Sequence, residues 1–324
     1  MMTFRPVVKS SGLMTATLLW LTLAPSWLPV FAQSNDPIVL SFSSVGDSRQ
    51  DPNNPDPSTL PLSVQDQIWL QNTKAWSRIL NSIQSRNVPN VPNLLFFDGD
   101  MIQGYGDANV PLEKLKFWQQ YGFWRGMVAG DMEIHLYVVP VPGNHEVQCQ
   151  CPPGKIALPQ NEDAWRDNMG DLILDTSRFQ NLFGVQPRTW NQELLRVWTQ
   201  ARLHLLLWRD HTGADLACRL DLFPPARDEF WKVNRAIYFC GHEHIFHIEK
   251  PLGLSDAHSW QVLVGSGGSP FAAQPDDVTV SPQTDRDYAW VIVNIHQSAR
   301  VTMTAYGFDA EFDATKVLGY YILK

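Results

Sequence analysis

Residues 134–146 read IHLYVVPVPGNHE: an apolar, β-branched run that ends in Pro-Gly and then delivers an amide, an imidazole and a carboxylate. The run Ile134–Val141 has the length and composition of a buried strand, and Pro142-Gly143 stops it. The same device recurs along the chain. Ile38–Val45 runs into Gly46-Asp47, Leu94–Phe97 into Asp98-Gly99-Asp100, and Ala236–Cys240 into Gly241-His242-Glu243-His244. In α/β architectures loops and sites gather at the C-terminal ends of strands, so four such endings predict one shared site.

The segments between these strands read as helices. Val64–Arg86 carries Ile68, Trp69, Trp76, Ile79, Leu80 and Ile83 at helical spacing, and Pro111–Val128 is a second helix. Trp76, Trp118 and Trp124 are expected to pack helices against a sheet. After residue 244 the pattern changes to consecutive strands at 260–264, 288–295, 301–306 and 317–323. That changeover predicts two sheets, the later one mostly antiparallel.

Before the first strand, Arg5 and Lys9 precede the apolar run Leu13–Ala24, and Val30-Phe31-Ala32 forms a small-residue cleavage pattern. Residues 1–32 therefore read as a signal peptide and 33–324 as a single catalytic domain, exported to a periplasmic or extracellular space. No other run is long and apolar enough to span a bilayer, so no stable membrane insertion is expected after cleavage. Removing residues 1–32 takes away two cations and no acids, moving the formal net charge from −8 to −10. That balance argues against nucleic acid as the main partner, although bound metal can still attract phosphorylated substrates. Of the four cysteines, Cys149 and Cys151 could pair only in a very tight ring, and Cys240 reads as a buried small hydrophobe.

As a set, Asp47, Asp100, Asn144, His242 and His244 supply two carboxylates, an amide oxygen and two imidazoles. These are hard-to-borderline ligands suited to Fe, Mn, Zn or Mg. His242 and His244, two apart, are expected to point the same way from a strand end. Asp98 reads as a turn residue, and Glu146 and Glu243 as supporting or surface residues.

The motif order GD (46–47), GD (99–100), GNHE (143–146) and GHEH (241–244) resembles that of the calcineurin-like metallophosphoesterases, a superfamily that includes the purple acid phosphatases. The run QVLVGSGGSPF at 261–271 is similar to the glycine-rich strand of secreted members. The resemblance implies a four-layer α/β/β/α sandwich of two mixed sheets around two divalent or trivalent metal ions. It implies that Asp47 and His244 hold the first ion, Asp100 bridges, and Asn144 and His242 hold the second. It also implies hydrolysis of a small phosphate ester by a bridging hydroxide. His145 would be a non-ligand that protonates the leaving group or stabilises the transition state.

Three departures qualify that expectation. Arg49 stands where many members have a histidine; a guanidinium cannot ligate metal, so it either grips substrate phosphate or forms a structural ion pair. Gln103 occupies the position of the purple acid phosphatase tyrosine. The middle histidine ligand of the family has two candidates, His211 and the strand-like His204, with His211 the better placed. The segment Gln186–Arg227, rich in Leu, Arg and Trp and without Lys, continues the strand pattern poorly. The alternative reading is therefore a catalytically impaired binding protein on the same fold.

Overall fold

In the computed structural model the described residues are 36–51, 69–133, 136–152, 154–174, 204–206, 236–250, 260–269 and 287–324. The expected signal peptide, His211 and Cys218 lie outside them. The strands are β1 (Ile38–Val45), β2 (Asn93–Phe97), β3 (Leu136–Pro140), β4 (Gln148–Cys151), β5 (Gly154–Ala157), β6 (His204–Leu206), β7 (Ala236–Cys240), β8 (Phe246–Glu249), β9 (Trp260–Val264), β10 (Tyr288–His296), β11 (Val301–Phe308) and β12 (Lys316–Ile322). The helices are α1 (Trp69–Gln84), α2 (Pro111–Glu133), the single turn α3 (Asn144–Val147) and α4 (Pro159–Leu174). Residues Asp36–Lys324 form one unit.

One mixed sheet runs β12-β11-β10-β1-β2-β3 and the other β6-β7-β9-β8, with β4-β5 a separate hairpin. The pairs β1–β2 and β2–β3 are parallel, as are β6–β7 and β7–β9. This corrects the expected division of strands. The late antiparallel strands β10–β12 do not build the second sheet; they extend the first, with β10 pairing antiparallel to β1. Strand pairing is a long-range choice, and β10, apolar at nearly every position, is suited to a central place in the larger sheet. The segment from which little strand pattern was legible contributes β6, which pairs with β7 through His204↔Ala236 and Leu206↔Tyr238.

The alternation of side chains along β1 and β2 separates two cores. Phe42 meets Phe96 edge-on at 5.3 Å and Phe239 of β7 at 5.5 Å, which joins the two sheets. Phe97, on the opposite face, meets Trp76 of α1 at 5.0 Å and Trp124 of α2 at 5.1 Å. A helix layer, the six-stranded sheet and the four-stranded sheet are thus in contact through these rings. The described residues do not show the second helical layer of the expected four-layer sandwich.

Trp76 and Trp124 are fully buried, as expected, but Trp118 is 47% exposed. The buried stripe of α2 is Phe117, Tyr121, Trp124 and Val128, at spacings of four, three and four. Trp118 is one residue, about 100°, off that stripe, and Lys114 Nζ lies 5.1 Å from its ring centroid. Trp76→Ala removes the ring that stacks on Trp124 at 6.3 Å. It is expected to lower stability by about 3–5 kcal/mol, read as a fall in the urea midpoint with unchanged slope.

Candidate metal centre

Parallel pairing places the C-terminal ends of β1, β2 and β3 side by side, and backbone hydrogen bonds join them beyond the strands. Asp47 N donates to Gly99 O at 2.9 Å, Asp98 N to Val45 O at 2.9 Å, and Val141 N to Phe97 O at 2.8 Å. Gly46 N donates to Val264 O of β9 at 2.8 Å, bringing in the end of the second sheet. The glycine-rich run after β9 backs the first motif, with Gly267 N on Gly46 O at 2.9 Å and Ser269 N on Asp47 O at 2.8 Å.

The turns that follow are left-handed at non-glycine residues: φ is 62° at Asp47, 43° at Arg49, 54° at Asp100 and 78° at His242. Such backbone costs of order 1 kcal/mol or more per residue and concentrates where side-chain placement outweighs stability. Two glycines make room for the carboxylates. A Cβ at Gly241 would overlap Asp47 Oδ2, and one at Gly143 would overlap Asp100 Oδ1.

These constraints bring all six expected residues to one edge, in pairs. His242 N donates to Asp47 Oδ2 at 2.8 Å, and His244 Nε2 lies 3.7 Å from Asp47 Oδ1. His145 N donates to Asp100 Oδ1 at 3.0 Å, while His145 Nε2 and Arg49 Nη2 each lie 3.7 Å from Asp100 Oδ2. His242 Nδ1 is 2.9 Å from Asn144 Oδ1. His242 and His244 do reach one cluster, but not as neighbours on an extended strand: β7 ends at Cys240, and the left-handed turn at His242 directs them to different partners.

The donor set fits hard or borderline divalent cations. Asp100 Oδ2 is buried, and no described residue donates a hydrogen bond to it. A separation of 3.7 Å, as between His244 and Asp47, is too long for a hydrogen bond and close to what two ligand bonds of about 2.0–2.2 Å to one ion allow. Closure is incomplete, since among the described residues no group of three His, Cys, Asp or Glu side chains converges on one point. Arg49, expected from the resemblance to replace a histidine, has its guanidinium toward Asp100.

Burial acts to raise the Asp100 carboxyl, but His145, Arg49, the His145 N–H and His242 together hold it below its ordinary value. Burial pushes His145 down to about 4, so the imidazole is neutral at pH 7. Its Nδ1 lies 2.6 Å from the Gln103 carbonyl, which assigns the ring proton to Nδ1 and leaves Nε2 bare toward the site. The Gln103 side chain itself is exposed. Asp98 accepts from the Ser44 hydroxyl, and burial raises its carboxyl to about 7.

Glu146 is a supporting residue of the most constrained kind. Fully buried, it accepts from Asp100 N at 2.9 Å, Gly143 N at 2.6 Å and Ile102 N at 3.1 Å, tying the second motif to the third. Burial and the Asp100 charge push its carboxyl up to about 8, against the pull of those three donors. Glu146→Gln keeps the volume but turns an N–H toward a backbone donor. It is expected to lower stability by about 1–3 kcal/mol in chelated protein, measured by urea denaturation.

Two residues at the site were not anticipated. Asn144 Nδ2 donates to Tyr105 Oη, and Lys155 Nζ donates to the same oxygen at 3.0 Å. Tyr105 carried a faint signal, an aromatic between Gly104 and Gly106 just after a site aspartate; Lys155 carried none. It arrives on the β4-β5 hairpin, in whose first strand Cys149 and Cys151 are disulfide-bonded with Cα atoms 5.2 Å apart. Cys240 is buried, as expected.

Residues 66–246 match the family model of the calcineurin-like phosphoesterases. The chain belongs to that family, whose members are phosphoester hydrolases that typically bind divalent metals. The match is to the family as a whole and does not single out the purple acid phosphatases. No curated protein shows significant similarity to the chain.

Proposed function

We propose that the protein is an exported, metal-dependent phosphoesterase acting on small phosphate esters. The observation that carries this reading is the meeting of Asp47, Asp100, Asn144, His145, His242 and His244 at one edge of the two sheets. In this reading Asp47 and His244 would hold one ion and Asn144 and His242 a second, with Asp100 shared between them and His211 a candidate to complete the second set. Bound ions of the Fe, Mn, Zn or Mg kind supply Lewis acidity to the phosphoryl oxygens and lower the pKa of water.

The chain's own residues do the rest. Glu146 fixes the turn that presents Asp100 and Asn144. Arg49, 20% exposed, is positioned to meet substrate as well as Asp100. His145 rests neutral, and an arriving phosphate dianion raises its pKa, so the imidazole takes up a proton at Nε2 that it can pass to the leaving oxygen. Export is supported by the Cys149–Cys151 pair, which suits an oxidising compartment. Among the described residues no helix is long and apolar enough to cross a membrane.

A second reading, a catalytically impaired binding protein, is favoured by Arg49 in the first motif and by the incomplete ligand closure. Turnover of a chromogenic phosphate monoester by metal-loaded protein separates the two. Hydrolysis that stops on chelation and fails in His145→Ala supports the enzyme. Full metal occupancy with no turnover of mono- or diesters supports the binding protein.

A further inference from the structure

Tyr105 and Lys155 stand beside the ligand pairs without belonging to them. The Tyr105 ring lies against the His145 imidazole with centroids 3.9 Å apart, and Lys155 Nζ lies 4.6 Å from the Tyr105 ring centroid. A phenol oxygen accepts two hydrogen bonds and donates one. Asn144 Nδ2 and Lys155 Nζ fill both acceptor positions, so the phenolic O–H must point elsewhere, and no described residue accepts it. Lys155 is exposed, leaving its remaining N–H donors available beside Asn144 and His145.

Holding the hairpin does not require this lysine. Gln150 N donates to Tyr105 O at 3.0 Å, Tyr105 N to His145 O at 3.1 Å and Leu158 N to Val147 O at 2.9 Å, with the disulfide in addition. What the site needs is positive charge: the chain carries a net −8, and two buried aspartates line this edge. A cation and a hydroxyl donor beside the imidazole are the groups that would receive the outer oxygens of a phosphoryl dianion.

We propose that Lys155 and Tyr105 form a phosphate-binding rim that favours dianionic monoesters over monoanionic diesters. The proposal deepens the phosphoesterase reading and rests on it for the identity of the substrate. Its test compares wild type, Lys155→Met, Lys155→Arg and Tyr105→Phe. Calorimetry measures binding of inorganic phosphate to chelated and metal-loaded protein, and kinetics measure p-nitrophenyl phosphate and bis(p-nitrophenyl) phosphate. Lys155→Met is expected to weaken phosphate binding about tenfold and to raise the monoester KM by a similar factor, with a much smaller change for the diester. Lys155→Arg should recover most of the loss, and Tyr105→Phe should show part of it. Unchanged phosphate affinity in a Lys155→Met protein with wild-type melting overturns the rim, as do equal losses for both esters. If wild type hydrolyses neither ester yet binds phosphate through Lys155, hydrolysis falls and the rim stands. If it hydrolyses both and Lys155→Met changes nothing, the rim falls and hydrolysis stands.

Discussion

Asp100→Asn is expected to abolish phosphate-ester turnover and to weaken metal binding by more than about 100-fold, beyond the 10- to 100-fold typical of losing a residue that only supports a ligand. The substitution keeps the shape of the side chain and leaves an oxygen to accept the His145 N–H now bound at 3.0 Å. It removes the negative charge that faces Arg49 and His145 at 3.7 Å, and it puts an N–H where a metal would take an oxygen. Because the Glu146 bonds to the Asp100 and Gly143 backbone persist, the loop should hold its form, and melting in the presence of chelator should change little. Metal analysis beside kinetics gives the answer. An Asp100→Asn protein that holds as much metal and turns over as fast as wild type would remove Asp100 from the centre.

His145→Ala is expected to lower kcat by about 10²- to 10⁴-fold while leaving metal content unchanged. The ring is buried, anchored through Nδ1 to the Gln103 carbonyl and packed on Tyr105, so Nε2 has one orientation only. A proton-delivery role makes a further prediction. The loss should be larger for phenyl phosphate than for p-nitrophenyl phosphate, since a poor leaving group depends more on receiving a proton. A uniform loss across leaving groups would instead assign His145 to holding the site together.

The candidate site was largely legible in the sequence because its placement is local. A buried parallel strand that stops at glycine and delivers Asp, Asn or His advertises both the edge and the chemistry, and this happens at Asp47, Asp100, Asn144 and His242. The features that were missed depend on long-range contacts. The pairing of β10 with β1, rather than with β9, follows from which sheet could bury it on both faces. Helical periodicity identifies a stripe only when its phase is set by neighbours such as Tyr121 and Trp124, and spacing alone does not place Trp118 one residue off it. Lys155 had no signature, since β5 is short and mostly exposed, and its lysine reaches Tyr105 only through the antiparallel pairing of β5 with β4. Arg49 was legible as a departure; that its guanidinium faces Asp100 was not.

Phosphoester hydrolysis that depends on metal at the 47–100–144–242–244 edge can be measured by assaying purified protein on p-nitrophenyl phosphate before chelation, after chelation, and after returning Mn, Zn or Fe. The expected result is turnover that disappears with the metal and returns with it. Turnover indifferent to chelation, or none in protein shown to be metal-loaded, would rule out metal-dependent hydrolysis at this edge.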